Sequence, residues 1–298
     1  MKNKLKLMIS FLGINVLMFS CTETFELNLE RTEPKVVIQG LVTNLPGPYF
    51  VRLTKTTNEL KVKYEPGLYA EAYDDHTEII ENAVVIISDN QGNSDTLIPS
   101  PYHNYIYYHG DSIMGYYCTQ NLIGVVGREY YLDVFADGKY YHAESIMIDA
   151  PVIDSIYYSY KEGDIGKPTK ITPQIYLDKI NNNVLYGEIF FTREEITHYN
   201  LMWWYSMLVD LNDYPTDLPI PFYAYAENGK NYLEPYDLSE DFQWAIVTMD
   251  EKAYNFNKTC YQQFWDDGGA YKPAPATPIG NISGDAIGVF QVSGVSIY

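Results

Sequence analysis

Apolar and polar residues alternate along much of this chain with a period of two, the spacing that puts every second side chain on one face of a strand. Val51-Arg52-Leu53-Thr54 shows the alternation directly. Val36-Val37-Ile38-Gln39-Gly40-Leu41-Val42 is a denser apolar run, closed by the turn cluster Asn44-Leu45-Pro46-Gly47-Pro48. A β-branched run over residues 83–87 ends at Asp89-Asn90-Gln91-Gly92, and further strands are expected at 105–108 and 116–119. The clearest hairpin joins 130–135 to 140–146 through Ala136-Asp137-Gly138-Lys139, because Asp-Gly tolerates the positive φ angles of a tight turn. Residues 58–80 lack a clean period and read as a long loop or an insertion.

The pattern resets near Ala150-Pro151. Strands are expected at 153–160, 174–178, 185–192, 201–209 and 243–249. One helix follows, with Asp250 able to cap its N-terminus, Ala253, Phe256, Cys260 and Phe264 recurring on one face, and Gly268-Gly269 to stop it. A Pro-rich run over 273–278 leads to the turn Gly280-Asn281-Ile282-Ser283 and a last apolar strand over 287–297. The expected fold is mainly all-β: a β-sandwich domain over 36–150, then a second β-rich domain over 151–298 with one helix.

The N-terminus has a different pattern. Lys2, Lys4 and Lys6 precede an apolar stretch over 7–19, broken only by Ser10, Gly13 and Asn15. That is shorter than the about 20 residues needed to span a bilayer, and it has the form of a signal-peptide core. The stretch ends in Leu17-Met18-Phe19-Ser20-Cys21, a cysteine directly after a small residue. This resembles a lipobox, at which the Cys21 thiol takes a diacylglyceryl group and the chain is cut after Ser20. Met18 and Phe19 depart from the commonest form, which has Leu and then a small residue. Residues 1–20 are therefore expected to be a lipoprotein signal peptide and 21–35 an acylated tether. Thr22-Glu23-Thr24-Phe25-Glu26 looks like an acidic export signal for display on the outer membrane, facing the medium.

Charge narrows the partners. Removing residues 1–20 takes away three lysines and no acid, leaving 17 basic against 39 acidic residues and a formal charge of −22. Such a surface repels phosphate backbones, which argues against nucleic-acid binding, and it leaves membrane attachment to the acyl chains. Thirty tyrosines stand against 12 phenylalanines and four tryptophans, a surplus that suits strands and also sugar- or peptide-binding surfaces. With Cys21 assigned to lipid, Cys118 and Cys260 either pair in an oxidising compartment or remain as thiols.

Several stretches together resemble a known family, the Bacteroidota lipoproteins grouped as domain of unknown function 4249. They are residues 36–44 with Pro46-Gly47-Pro48 and the strand over 51–54; the hairpin region 127–141; and Pro278-Ile279-Gly280-Asn281-Ile282 with Gly288-Val289-Phe290. The resemblance implies a two-part, β-rich outer-membrane lipoprotein encoded beside TonB-dependent receptors, with a role in capturing or admitting a nutrient. No catalytic or binding residues come with it.

The search for chemistry finds no Gly-x-Ser-x-Gly elbow, no His-Glu-x-x-His pair and no phosphate-cradling glycine loop. His76, His103, His109, His142 and His198 are scattered without ligand spacing. Asp89-Asn90-Gln91-Gly92-Asn93-Ser94-Asp95 is rich in oxygen, which suits calcium, but it lacks the twelve-residue loop with a terminal glutamate and reads equally as a hairpin turn. Asp210-Leu211-Asn212-Asp213 carries the same signal more weakly.

Trp203-Trp204-Tyr205 sits on an expected strand, so its two tryptophans face opposite ways: either both rings pack between sheets, or one is exposed to stack on a sugar or anchor a partner. Tyr223 and Tyr225, after Pro219-Ile220-Pro221, are similar candidates. Two readings follow. One is a non-enzymatic binding subunit, without cofactor or metal, that serves a TonB-dependent receptor or a glycan or peptide ligand. The other is a surface hydrolase of glycans or peptides with carboxylates as acid and base, while a structural adhesion module would use the same sandwich.

Overall fold

The computed structural model describes residues 33–56, 78–100, 107–108, 111–112, 115–161, 170–178, 186–192, 195–197, 206–214, 218–222, 242–265 and 278–298. The chain divides into two units, Met1–Glu33 and Pro34–Tyr298, and the architecture is that of the second. Its first strands in chain order are β1 (Val36–Thr43), β2 (Phe50–Lys55), β3 (Val84–Asp89), β4 (Ser94–Thr96), β5 (Ile98–Pro99), β6 (Tyr107–Tyr108), β7 (Asp111–Ser112), β8 (Tyr116–Cys118), β9 (Glu129–Ala136) and β10 (Lys139–Ile146). Then come β11 (Ile153–Lys161), β12 (Lys170–Leu177), β13 (Tyr186–Thr192), β14 (Ser206–Asp210), β15 (Ile220–Pro221), β16 (Gln243–Met249), helix α1 (Glu251–Trp265), β17 (Ile287–Ser293) and β18 (Val295–Ile297). The described part is all-β with one α-helix, as the alternation requires.

Two sheets, in the orders β17-β1-β2-β8-β5 and β10-β9-β3-β4, face each other across one core. Ile38 and Leu53 from the first and Ile87 and Leu132 from the second are almost wholly buried there, each contributing roughly 1.5–3 kcal/mol over exposure. Part of the tyrosine surplus belongs to this core, where each ring fills volume and its hydroxyl ties down a loop. Tyr49 Oη accepts from Gly124 N at 2.8 Å and donates to Leu45 O at 2.8 Å. Tyr130 Oη accepts from Val125 N at 2.7 Å, and Tyr117 Oη donates to Ile80 O at 2.8 Å. A buried phenol needs such a partner, since an unpaired polar group there costs stability.

The β9–β10 hairpin turns where expected, with Asp137 at φ 51° and Gly138 at φ 73°. The remaining sheets are β11-β12-β15 and β14-β13-β16-β18, with a small β6-β7 pair. Phe191, Phe222 and Trp244 pack between the larger two, Trp244 lying 5.2 Å from each phenylalanine ring centre. Helix α1 begins as expected: Asp250 Oδ1 accepts from Ala253 N at 2.8 Å. Its Ala253, Tyr254, Phe256 and Cys260 pack with Met249, Val289 and Leu208. Cys118 and Cys260 are both free thiols, and burial pushes each of them up in pKa.

The last strands cross the boundary placed at residue 150. β17 runs parallel to β1, from Val37 opposite Ile287 to Thr43 opposite Ser293, so it belongs to the first sheet of the sandwich. After Gly294 the chain passes into β18, which pairs antiparallel with β16 in the other half. No helix among the described residues is long and apolar enough to cross a membrane.

Candidate functional site

The residues singled out in the sequence fall largely outside the described residues: Cys21, Trp203, Trp204, Tyr223 and Tyr225, and the histidines at 76, 103, 109 and 198. The oxygen-rich segment at 89–95 is described, and it is a hairpin turn. Asp89 accepts from Gln91 N and Asn93 N at 2.9 Å each, from Asn93 Nδ2 at 2.7 Å and from Arg128 at 2.8 Å. Burial works to raise the Asp89 pKa, but these hydrogen bonds outweigh it and hold the carboxyl below its ordinary value. Asp95 Oδ2 accepts three successive backbone N–H groups, from Gln120, Asn121 and Leu122, at 2.8, 2.6 and 2.9 Å. Both carboxylates therefore fasten loops. Asp210 does the same on a smaller scale, accepting from Asn212 N at 3.0 Å at the start of a 3₁₀ turn over Leu211–Asp213. Among the described residues no three His, Cys, Asp or Glu side chains are grouped to hold a metal ion.

The outer face of the β10-β9-β3-β4 sheet carries a cluster of exposed aromatic and acidic side chains. Strand β9 turns Tyr130, Leu132, Val134 and Ala136 into the core, which leaves Glu129, Tyr131, Asp133 and Phe135 outward. Strand β10 turns Tyr141, Ala143 and Ser145 inward, which leaves Tyr140, His142, Glu144 and Ile146 outward. The register sets Tyr140 opposite Phe135, His142 opposite Asp133 and Glu144 opposite Tyr131. Val84 of β3 continues the row beyond Phe135. Phe135, Tyr140 and Val84 keep 49%, 51% and 50% of their surface exposed.

A hydrogen-bonded cluster stands in the middle of this face. Asp133 Oδ1 accepts from Tyr140 Oη at 2.5 Å and lies 2.8 Å from His142 Nδ1. The His142 ring lies between those of Tyr131 and Tyr140, 6.3 Å from each and within 15° and 24° of parallel. The Phe135 ring adjoins Tyr140 at 4.9 Å. Tyr131 Oη donates to Glu129 at 2.8 Å. The bonds to Glu129 and Asp133 push the phenol pKa values of Tyr131 and Tyr140 up, because a carboxylate acceptor favours the protonated hydroxyl. Such a face offers flat apolar area beside fixed acceptors, the composition of a recognition surface. The sequence carried a usable signal for it: once Asp137-Gly138 is taken as a two-residue turn, the pairing of His142 with Asp133 follows by counting outward.

A second ionisable group is buried. Glu188 on β13 accepts from Ser206 Oγ of β14 and, at 3.0 Å, from Tyr261 Oη of α1. Ser206 Oγ and Tyr261 Oη are themselves 3.0 Å apart. Burial pushes the Glu188 carboxyl up in pKa, and the bonds from Ser206 and Tyr261 only partly oppose it. Burial, with the Glu188 charge next, drives the Tyr261 phenol up as well. No local pattern in the sequence announces this cluster, since its members come from three separate elements.

A family model described as domain of unknown function (DUF4249) matches residues 22–297. No curated protein matches the chain.

Proposed function

This chain belongs to the family described as domain of unknown function (DUF4249), and we propose that it is a non-enzymatic binding subunit held at the outer membrane by acylated Cys21. In this reading residues 1–20 are removed, the acidic segment after Cys21 directs the body to the cell surface, and the partner is a TonB-dependent receptor engaged in nutrient uptake. The observation that carries the binding role is the open aromatic and acidic face of β9 and β10, built on rigid strands with its side chains already fixed by Asp133 and Glu129. An acyl tether supports the same reading physically. It keeps the body near its receptor at high effective concentration, so modest direct contacts suffice.

The test is a pull-down of the tagged, full-length lipoprotein from detergent-solubilised native outer membranes. The expected outcome is co-purification of a TonB-dependent receptor with the wild-type chain, and release of the Cys21→Ala variant from the membrane fraction. The hydrolase alternative rests on Glu188, a buried carboxyl of raised pKa of the kind that active sites use. Cleavage of a glycan or peptide by the purified chain, lost in Glu188→Gln while the fold is retained, would replace the binding reading with that one.

A further inference from the structure

We infer that the outer face of β9 and β10 binds a cationic side chain of a partner protein, an arginine guanidinium in the best fit, with Asp133 as its counter-charge. The inference rests on the binding reading above and specifies the chemistry of what is bound.

The argument is a count of donors and acceptors. Both phenol protons on this face are already committed, Tyr140 Oη to Asp133 and Tyr131 Oη to Glu129. His142 Nδ1 lies 2.8 Å from Asp133 Oδ1, and in the tautomer that donates there Nε2 is an acceptor. Asp133 spends Oδ1 on these contacts, and its Oδ2 has no partner among the described residues, while the side chain keeps 27% of its surface exposed. Glu144, directly across from Tyr131, is an exposed acceptor as well. The outward positions of the two strands thus offer acceptors with no uncommitted donor. A sugar hydroxyl both gives and takes hydrogen bonds and over β9 and β10 would find only half its needs met, the outward hydroxyls of Ser88, Ser94 and Thr96 lying further along the sheet on β3 and β4. A guanidinium has five donors and no acceptor, and matches the face.

Charge and shape point the same way. The outward positions of β3, β4, β9 and β10 carry Glu129, Asp133 and Glu144, and the one lysine of these strands, exposed Lys139 at the start of β10, lies 3.5 Å from Asp285. The chain as a whole has a formal charge of −19. Phe135 and Tyr140 expose ring surface beside the Asp133 carboxylate, and a planar cation is drawn both to the π face and to the acid.

Fluorescence polarisation of the full chain in detergent tests this, with a labelled Gly-Arg-Gly-Arg-Gly amide as probe and its citrulline counterpart as the neutral isostere. The arginine peptide should bind and the citrulline peptide should bind at least about tenfold more weakly. Asp133→Asn should weaken arginine binding by about tenfold, and Tyr140→Leu or Phe135→Leu by about three- to fivefold. Each variant's cooperative urea unfolding confirms that it is folded. Asp154→Asn, which removes one exposed charge from β11, should change binding less than about twofold. Equal binding of the two peptides overturns the inference, as does an Asp154→Asn effect as large as that of Asp133→Asn. Binding of a neutral hexasaccharide that is lost in Tyr140→Leu, with no arginine binding, overturns it in favour of a sugar site. The probe needs neither receptor nor anchor, so its failure and failure of the pull-down are separate results.

Discussion

The side chain of Asn44 pairs with the backbone of Val295 as a neighbouring strand would. Its Oδ1 accepts from Val295 N at 2.8 Å and its Nδ2 donates to Val295 O at 3.1 Å, across 251 positions of sequence. Asn281 repeats the device on Phe290, accepting from its N–H and donating to its C=O at 2.8 Å each. Two asparagines thus hold the C-terminal strands in place, one at the start of β18 and one at the middle of β17. Asn44→Ala leaves a part-buried N–H and C=O without their partners, and should cost about 1–3 kcal/mol. Asn44→Asp keeps the acceptor but sets a carboxylate against Val295 O, and should cost at least as much. Urea unfolding midpoints of the three proteins check both expectations.

The Asp89 turn predicts an acid-sensitive limb. Its carboxyl is held below the ordinary value in the folded state, so the unfolded chain binds the proton more readily. The stabilisation is complete above the unfolded aspartate pKa and is lost as pH falls through the folded one. Asp89→Asn should flatten the loss of stability with falling pH across that window. Asp89→Ala, which strands Arg128 and two backbone N–H groups, should cost about 3 kcal/mol at pH 7. Unfolding midpoints measured as a function of pH read both effects.

Glu188 predicts the opposite sign. Burial raises its pKa, so the folded chain retains the proton at pH values where the unfolded chain has released it. Its contribution is full below the unfolded glutamate pKa and is lost as pH rises through the folded one. Glu188→Gln, neutral at every pH and still able to bond Ser206 and Tyr261, should equal the wild type in stability at acid pH and exceed it in alkali. A stability difference independent of pH would contradict the assignment.

Gly288 is the second residue of β17 to pair with β1, opposite Ile38. It sits at φ 135°, and a Cβ there would lie 1.8 Å from Ile38 O. Backbone must move to admit any side chain, so Gly288→Ala should cost more than about 3 kcal/mol. Gly92 also has positive φ but open space around it, so Gly92→Ala should cost only about 1–2 kcal/mol for the left-handed conformation. Thermal unfolding of the two variants separates steric exclusion from backbone preference.

What the sequence determined by itself is what neighbouring residues decide between them. The β9–β10 hairpin was legible because Asp137-Gly138 fixes a two-residue turn and the flanking alternation fixes two strands. The start of α1 was legible because Asp250 caps its own next turn. The beginning of β12 was not, although it pairs with β11 throughout: Lys170-Ile171-Thr172 alternates, but Pro173 has no N–H to give a ladder and reads as a strand boundary. The oxygen-rich turn at 89–95 was ambiguous for a local reason: a calcium loop and an Asx turn use the same residues, and only the distant Arg128 and the backbone at 120–122 show which one forms.

Pairing between strands distant in sequence was left to the tertiary structure, and so was the face each tyrosine of a pair takes. A strand's pattern says that it is half-buried but not which strand lies beside it, so the parallel partnership of β1 with β17 had no local signal. Glu188 read as one acid in an apolar run, and its partners Ser206 and Tyr261 lie 18 and 73 positions away. The candidate face turns on two pairs of identical neighbours. Tyr130 and Tyr141 are core, while Tyr131 and Tyr140 look outward. Identical residues carry no preference for a side. That choice belongs to the sheet, because a slip of one residue would exchange the whole inward set for the outward one, and only packing against β3 and the opposite sheet makes one of the two registers stable.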